Sequence, residues 1–200
     1  FGTAGLRAKM GAGCAFMNEY TVAHATEGLA RLILAENAAD RGVAIAYDSR
    51  IKSDKFAKEA AAVLAANGIK VYIYSELMPT PMLSWAVREL KCQAGIVITA
   101  SHNPAKYNGY KVYGEDGCQI TLDVANTVIG KINAVEMFGG AKVMDFEDGI
   151  KSGKIEYIKQ DVIDKYLDKV AQQGVHTDLV ADSGLKVVYT PLNGTGNKPV

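Results

Sequence analysis

Ser101, His102 and Lys111 are the residues of this chain whose types and spacing could do chemistry together. They fall in Thr99-Ala100-Ser101-His102-Asn103-Pro104 and the following Tyr107-Asn108-Gly109-Tyr110-Lys111. The apolar run Ala94-Gly95-Ile96-Val97-Ile98 comes just before and predicts a buried strand. Ser101 is thus expected at a strand end, in a loop that Pro104 keeps out of helix by pushing Asn103 from the α region. Asn108-Gly109 predicts a turn with positive φ that returns the chain towards Lys111. An exposed hydroxyl on a stiff pedestal, beside an imidazole and an ammonium, suits a serine that carries a phosphoryl group. The plainer alternative is an ordinary loop serine capping a turn. A serine hydrolase fits poorly. The chain has no G-x-S-x-G elbow, and adjacency in sequence does not aim the His102 ring at the hydroxyl.

Two arginines are further candidates. Arg7 follows Gly2-Thr3-Ala4-Gly5, whose backbone can present N–H groups to an anion while the guanidinium adds a bidentate fork. A surface arginine in a loose terminus is the simpler reading. Arg50 ends Asp48-Ser49-Arg50 after a short apolar run. It either faces the same crevice as Ser101 or pairs with Asp48 or Asp54. His102 is open to three readings: proton shuttle, donor to a phosphoryl oxygen, or surface residue. His24 and His176 are read as solvated or structural. Phosphoryl transfer spreads negative charge over equatorial oxygens, so it needs positioning and cations, which Arg7, Lys111, His102 and a magnesium ion would supply.

The Thr99–Pro104 and Tyr107–Lys111 wording resembles the phosphoserine loop of the α-D-phosphohexomutases. Phe1-Gly2-Thr3-Ala4-Gly5-Leu6-Arg7 is similar to that family's N-terminal arginine motif, with Ala8 where the family usually has glycine. Val188-Tyr189-Thr190-Pro191-Leu192-Asn193-Gly194-Thr195-Gly196 is similar to the opening strand and loop of its second domain. The three matches keep the family's order.

The resemblance implies that Ser101 holds the phosphoryl group between turnovers, with a phosphoryl oxygen on Mg2+. It implies that His102 and Lys111 act at the transferring group, and that Arg7, with Thr3, Asn103 and Arg50, binds phosphate or substrate. It further implies interconversion of a hexose 1-phosphate and 6-phosphate through a hexose 1,6-bisphosphate, a phosphoglucomutase being the expected member. The alternatives are a phosphopentomutase or phosphomannomutase, a silent sugar-phosphate-binding homologue, and a phosphatase working through a phosphoserine. In the family the aspartate loop for the metal, the sugar loop and the distal phosphate loop lie beyond residue 200. The chain is accordingly expected to be part of a longer protein, inactive by itself.

The elements that must position these residues alternate strand and helix. Gly2–Gly13 reads as a loop. Val22, Ala25, Leu29 and Leu32 place a helix over 21–40, followed by a strand at Val43–Tyr47. Ser53 is expected to cap a helix with Phe56, Ala60, Val63 and Leu64 inward, stopped by Asn67-Gly68. A strand is expected over 70–74. Thr80 then caps a helix with Pro81 at its first position and Leu83, Ala86, Val87 and Leu90 inward. Ala94–Thr99 is expected to be the central strand, covered on both faces, and 110–113 another. Thr121 opens a helix with Val124, Val128, Ile132 and Val135 inward. Residues 139–153 read as irregular, with an acidic patch at Asp145, Glu147 and Asp148, followed by a strand over 154–158. A helix over 161–173 turns Val162, Ile163, Tyr166, Leu167 and Val170 inward, 174–184 is a linker, and Leu185–Tyr189 is a strand.

The expected class is α/β, a mixed β-sheet sandwiched between helices, with a first domain over 1–178 and the start of a second at 185–200. Ligands in such sheets sit beyond the carboxyl ends of the strands, where Asp48–Arg50 and the Ser101 loop share an edge if their strands are parallel.

Bulk composition narrows the partners. Lysine plus arginine and aspartate plus glutamate are 22 each, so no basic stripe suggests nucleic acid. No stretch approaches the roughly 20 apolar residues of a membrane span, and no signal peptide is visible. Cys14, Cys92 and Cys118 are odd in number and form no C-x-x-C pair, which reads as reduced thiols in a cytoplasmic protein. Sugar phosphates are the expected partners. The oligomeric state is left open.

Overall fold

The structure is a computed structural model, and it describes residues 5–177, 179 and 183–200. Six strands form one mixed sheet: β1 (Gly5–Lys9), β2 (Val43–Tyr47), β3 (Val71–Ile73), β4 (Ala94–Ile98), β5 (Tyr107–Gly114) and β6 (Ile155–Tyr157). Their order is β1-β5-β4-β2-β3-β6. The pairs β2–β4, β2–β3 and β3–β6 are parallel, while β5 runs antiparallel to both β1 and β4. Every residue of β4 is buried, as a strand covered on both faces requires.

Alternation along the strands builds two cores. On one face Val43, Ile45, Ile96, Ile98, Tyr110 and Val112 pack against α1 (Glu19–Ala35) and α2 (Ser53–Ala66). Two outer helices, α4 (Leu122–Asn133) and α5 (Phe146–Lys151), lie on α1 and α2. On the other face Ala44, Ala46 and Val97 meet α3 (Thr80–Glu89) and α6 (Gln160–Ala171). The expected α/β sandwich is therefore present, and no helix among the described residues is long and apolar enough to cross a membrane.

Several local expectations are corrected. Residues 5–9 are not loop but an edge strand, because β5 offers them a hydrogen-bonding partner. The first helix starts after Asn18, whose side chain accepts from Thr21 N in a capping box, and stops at Ala35, with a separate 3-10 turn at Ala39–Arg41. Lys52, at φ 65°, is the cap position of α2, and Ser53 turns its hydroxyl inward instead. Pro79 caps α3, which puts Thr80 at its first position and Pro81 at its second. In α4 Ala125 turns inward in place of Val124, which is 41% exposed, beside the buried Val128 and Ile132. Asp145 caps a real helix, α5, within the stretch read as irregular. Only Val162 of α6 is buried and Val170 is exposed. Residues 185–189 form no strand and are exposed, having no neighbouring strand to pair with. Asp178, the expected domain end, and residues 180–182 of the expected linker lie outside the described residues, as do Phe1–Ala4 of the arginine motif.

The crossing of α1 over α4 depends on Gly28. A Cβ there would come 2.8 Å from both the N and Cα atoms of Ile132. Alanine favours helix over glycine by up to about 1 kcal/mol. The clash is with backbone, however, so α4 must shift, and Gly28→Ala is expected to destabilise by about 1–3 kcal/mol in urea unfolding. A neutral or stabilising result would show that the two helices separate freely.

All three cysteines are free thiols; Cys14 and Cys118 are exposed. Burial pushes the Cys92 thiol up to about 12, so it remains protonated and unreactive at neutral pH.

Candidate active site

Because β2 and β4 are parallel, their carboxyl ends open on one edge of the sheet. A cleft of about 710 Å³ lies there, lined by Asp48–Ile51, Met78, Thr80, Thr99, Ser101–Asn103, Ala105 and Leu192–Thr195.

Ser101 is exposed at the tip of the β4–β5 loop, with its backbone at φ 56°. A non-glycine residue in this left-handed region costs roughly 1–2 kcal/mol, so other contacts must hold it. Ser101 N donates to Thr99 Oγ1 at 2.9 Å. The Ser101 carbonyl accepts from Arg50 Nη2 at 2.6 Å. Ser101 Oγ lies 3.3 Å from His102 Nδ1, close enough for proton exchange in the tautomer that leaves Nδ1 unprotonated.

Arg50 does more for this loop than either reading of the sequence foresees. Its Nη2 donates to the Ser101 and Asn103 carbonyls at 2.6 and 2.5 Å, and its Nη1 to those of Pro104 and Tyr107 at 3.2 and 3.1 Å. Nε lies 3.5 Å from Asp48 Oδ2, the ion pair considered from sequence, without hydrogen-bond geometry. Asp48 Oδ1 accepts from Arg50 N and from the Ser53 hydroxyl. Asn103 also faces inward, its amide donating to the Ala100 carbonyl at 2.8 Å.

Asn108 and Gly109 do not make a turn. Both lie inside β5, and Gly109 is not at positive φ. Glycine is needed there for closeness, since a Cβ would sit 2.4 Å from the Thr99 carbonyl oxygen. Asn108 is fully buried, donating to Ser53 Oγ at 3.0 Å and to the Ile51 carbonyl at 3.2 Å. It ties the loop's return strand to the start of α2. Sequence reasoning passed over Asp48, Ser53, Thr99 and Asn108 as site-building residues. The available signal was polar side chains clustered directly after fully apolar strands, which must bond to one another or to backbone.

Arg7 and Lys111 do not line the cleft. Arg7 pairs with Gly109, and Lys111 with Gly5 on one side and Val97 on the other. Directly paired residues share a face, so both cations lie on the α3 face of the sheet, beside the loop. Thr99 N donates to the Gly109 carbonyl at 2.9 Å, and Gly109 pairs with Arg7, which puts Arg7 two strand spacings, roughly 10 Å, from Thr99. Among the described residues neither the Arg7 nor the Lys111 side chain has a hydrogen bond or ion pair. Thr3 lies outside the described residues. His24 is structural, its Nε2 2.8 Å from the Val135 carbonyl.

The far wall of the cleft comes from the C-terminal segment. The Ser49 hydroxyl donates to the Asn193 carbonyl, and Lys198 pairs with Glu76 at 2.5 Å.

Magnesium takes about six oxygen ligands, usually carboxylates, phosphate and water. Around the Ser101 hydroxyl, Thr99 Oγ1 accepts from Ser101 N, and the Asp48 carboxylate is bonded to Arg50 N and Ser53 and paired with the Arg50 guanidinium. No three His, Cys, Asp or Glu residues come together among the described residues. This donor set does not make a magnesium site.

Residues 1–138 match the family model for phosphoglucomutase/phosphomannomutase, alpha/beta/alpha domain I. A phosphoglucomutase of Staphylococcus saprophyticus is 40% identical over 195 residues, covering 98% of this chain and 35% of that relative. A phosphoribomutase of Saccharomyces cerevisiae is 36% identical over 211 residues, covering 98% of this chain and 33% of its own length. The fold matches the crystal structure of pp63/parafusin, a phosphoglucomutase of Paramecium, in its open form. The TM-score is 0.74 at 18% identity, over 99% of this chain and 39% of that one. The chain thus spans about a third of the length of the curated relatives it matches.

Proposed function

The chain belongs to the phosphoglucomutase/phosphomannomutase family, and from that premise we propose that Ser101 is the phosphoryl carrier of a sugar-phosphate mutase. The observation that carries this reading is the exposed Ser101 hydroxyl, held on a braced left-handed loop at the carboxyl edge of the sheet with cations alongside.

The cycle starts from phospho-Ser101 and a hexose monophosphate, with glucose phosphate the first choice. A free sugar hydroxyl oxygen attacks phosphorus, and the bond from phosphorus to Ser101 Oγ breaks. The proton leaving the sugar hydroxyl ends on Ser101 Oγ, with His102 Nδ1 as the relay. The product is a hexose 1,6-bisphosphate. It presents its other phosphate to Ser101, and the reverse displacement restores phospho-Ser101 and releases the isomeric monophosphate. Lys111 and Arg7, beside the loop and outside the cleft lining, add a positive field that favours the charge on the phosphates. Mg2+ belongs to this proposal as an ion whose other ligands come from outside the described residues. The relative named phosphoribomutase supports a second reading in which the sugar is a phosphorylated pentose.

The test is direct. Full-length protein is incubated with magnesium and a hexose 1,6-bisphosphate, then digested for peptide mass spectrometry. A phosphoryl group on the peptide containing Ser101 is the expected result. Folded protein without phosphate there would exclude the carrier role and leave a silent sugar-phosphate-binding homologue. Release of inorganic phosphate faster than isomerisation would instead indicate a phosphatase. The 200 residues alone are expected to show no mutase activity.

A further inference from the structure

We infer that Arg50 is a positioning residue for phosphoryl transfer, working through the loop backbone and not as a phosphate ligand. This rests on the carrier role proposed for Ser101. The Arg50 side chain is only 12% exposed, and its guanidinium bonds four carbonyls of one loop, those of Ser101, Asn103, Pro104 and Tyr107. Four carbonyls converging on one cation is an arrangement a planar fork with five N–H donors can satisfy. These charge-assisted bonds are stronger than neutral ones and offset the strain of the left-handed Ser101 backbone.

The geometry has a second effect. In a trans peptide unit the carbonyl and the N–H point in opposite directions. With the Ser101 and Pro104 carbonyls drawn onto Arg50, the N–H groups of His102 and Ala105 point away from it. Both residues line the cleft, and among the described residues neither N–H has an acceptor. Outward backbone N–H groups in a tight turn form an anion-binding concavity. Arg50 thus contributes its positive charge to the inner side of the loop and turns unpaired donors towards the place where the phosphoryl oxygens of phospho-Ser101 would sit. Asp48 fixes the fork from behind through its contacts with Arg50 N and Nε.

Lysine keeps the charge but cannot span four acceptors. In the full-length protein, Arg50→Lys is expected to lower kcat for sugar-phosphate isomerisation about 100-fold, the scale of a misplacement of about 1 Å at the reacting group. KM should change less than about threefold, because the residue does not touch substrate. Hydrogen–deuterium exchange should quicken in the peptide spanning 99–110, where Asn103 N and Tyr107 N are bonded within the loop. If Arg50→Lys melts too low to assay, Asp48→Asn serves. It keeps an acceptor for Arg50 N while removing the ion pair, and about a tenfold drop in kcat with faster loop exchange is expected.

Unchanged loop exchange in a folded variant would overturn the inference. So would a raised KM with kcat retained, which would make Arg50 a substrate ligand. Wild-type protein that takes no phosphate at Ser101 would sink the mutase reading instead, and with it the positioning role, while the exchange rates would still report whether Arg50 braces the loop.

Discussion

Ser101→Ala in the full-length protein is expected to abolish phosphoryl transfer, with a fall in kcat on the order of a million-fold, as when a nucleophilic serine is removed from an enzyme that uses one covalently. The other hydroxyl of the loop, Thr99 Oγ1, is already an acceptor for Ser101 N. Ser101→Thr is the sharper variant. It keeps a hydroxyl but adds a β-branch at φ 56°, where branched side chains are outliers. The strain of about 1–3 kcal/mol must be relieved by moving the loop, so the threonine variant should lose at least about 100-fold in kcat despite its intact nucleophile. Ser101→Gly should relax the backbone and leave or slightly raise the melting temperature while remaining inactive. A threonine variant with near wild-type kcat would mean that the left-handed backbone at 101 is unimportant for catalysis.

The second large effect is on stability. Glu27, in the middle of α1, is 2% exposed. Its carboxylate accepts from Arg31 Nε at 3.2 Å, from Asn67 Nδ2 at 2.7 Å and from Lys142 N at 3.2 Å. One side chain thus joins α1, the end of α2 and the segment after α4. Removing one partner of a buried, hydrogen-bonded charge pair costs about 3–5 kcal/mol. Arg31 is partly exposed and can rehydrate, so the lower end applies. Glu27→Ala should therefore cost about 3 kcal/mol in urea unfolding. Glu27→Gln, which keeps one acceptor oxygen but turns an amide N–H towards existing donors, should cost roughly half as much. A loss below about 1 kcal/mol in Glu27→Ala would show that water replaces the carboxylate without difficulty. Kinetic constants of the surviving folded fraction should be unchanged, since Glu27 lies outside the cleft.

Much of this protein is determined by sequence because the deciding interactions are local. The apolar run at 94–98 needs cover on both faces wherever it is placed, and it becomes the fully buried β4. The helix over 53–66 follows from Phe56, Ala60, Val63 and Leu64 recurring at helical spacing, and each of these is buried. The family, too, was legible in the wording around Ser101 and at the two ends of the chain.

The tertiary structure decided what distant segments do to one another. Residues 5–9 carry no strand pattern of their own and become a strand because β5 presents an open edge. Residues 185–189 have the apolar pattern of a strand and remain irregular for want of a partner. Asn108-Gly109 has turn chemistry, but its glycine is used for the close approach of two backbones. Arg50 shows the same division most clearly. From sequence it was a phosphate ligand or half of a surface ion pair. In the fold its guanidinium meets four carbonyls more than fifty positions away, because parallel pairing of β2 and β4 brings two loops to one edge. Strand and helix propensities act within a few residues, whereas the partner of a buried charge is chosen only once the sheet has closed.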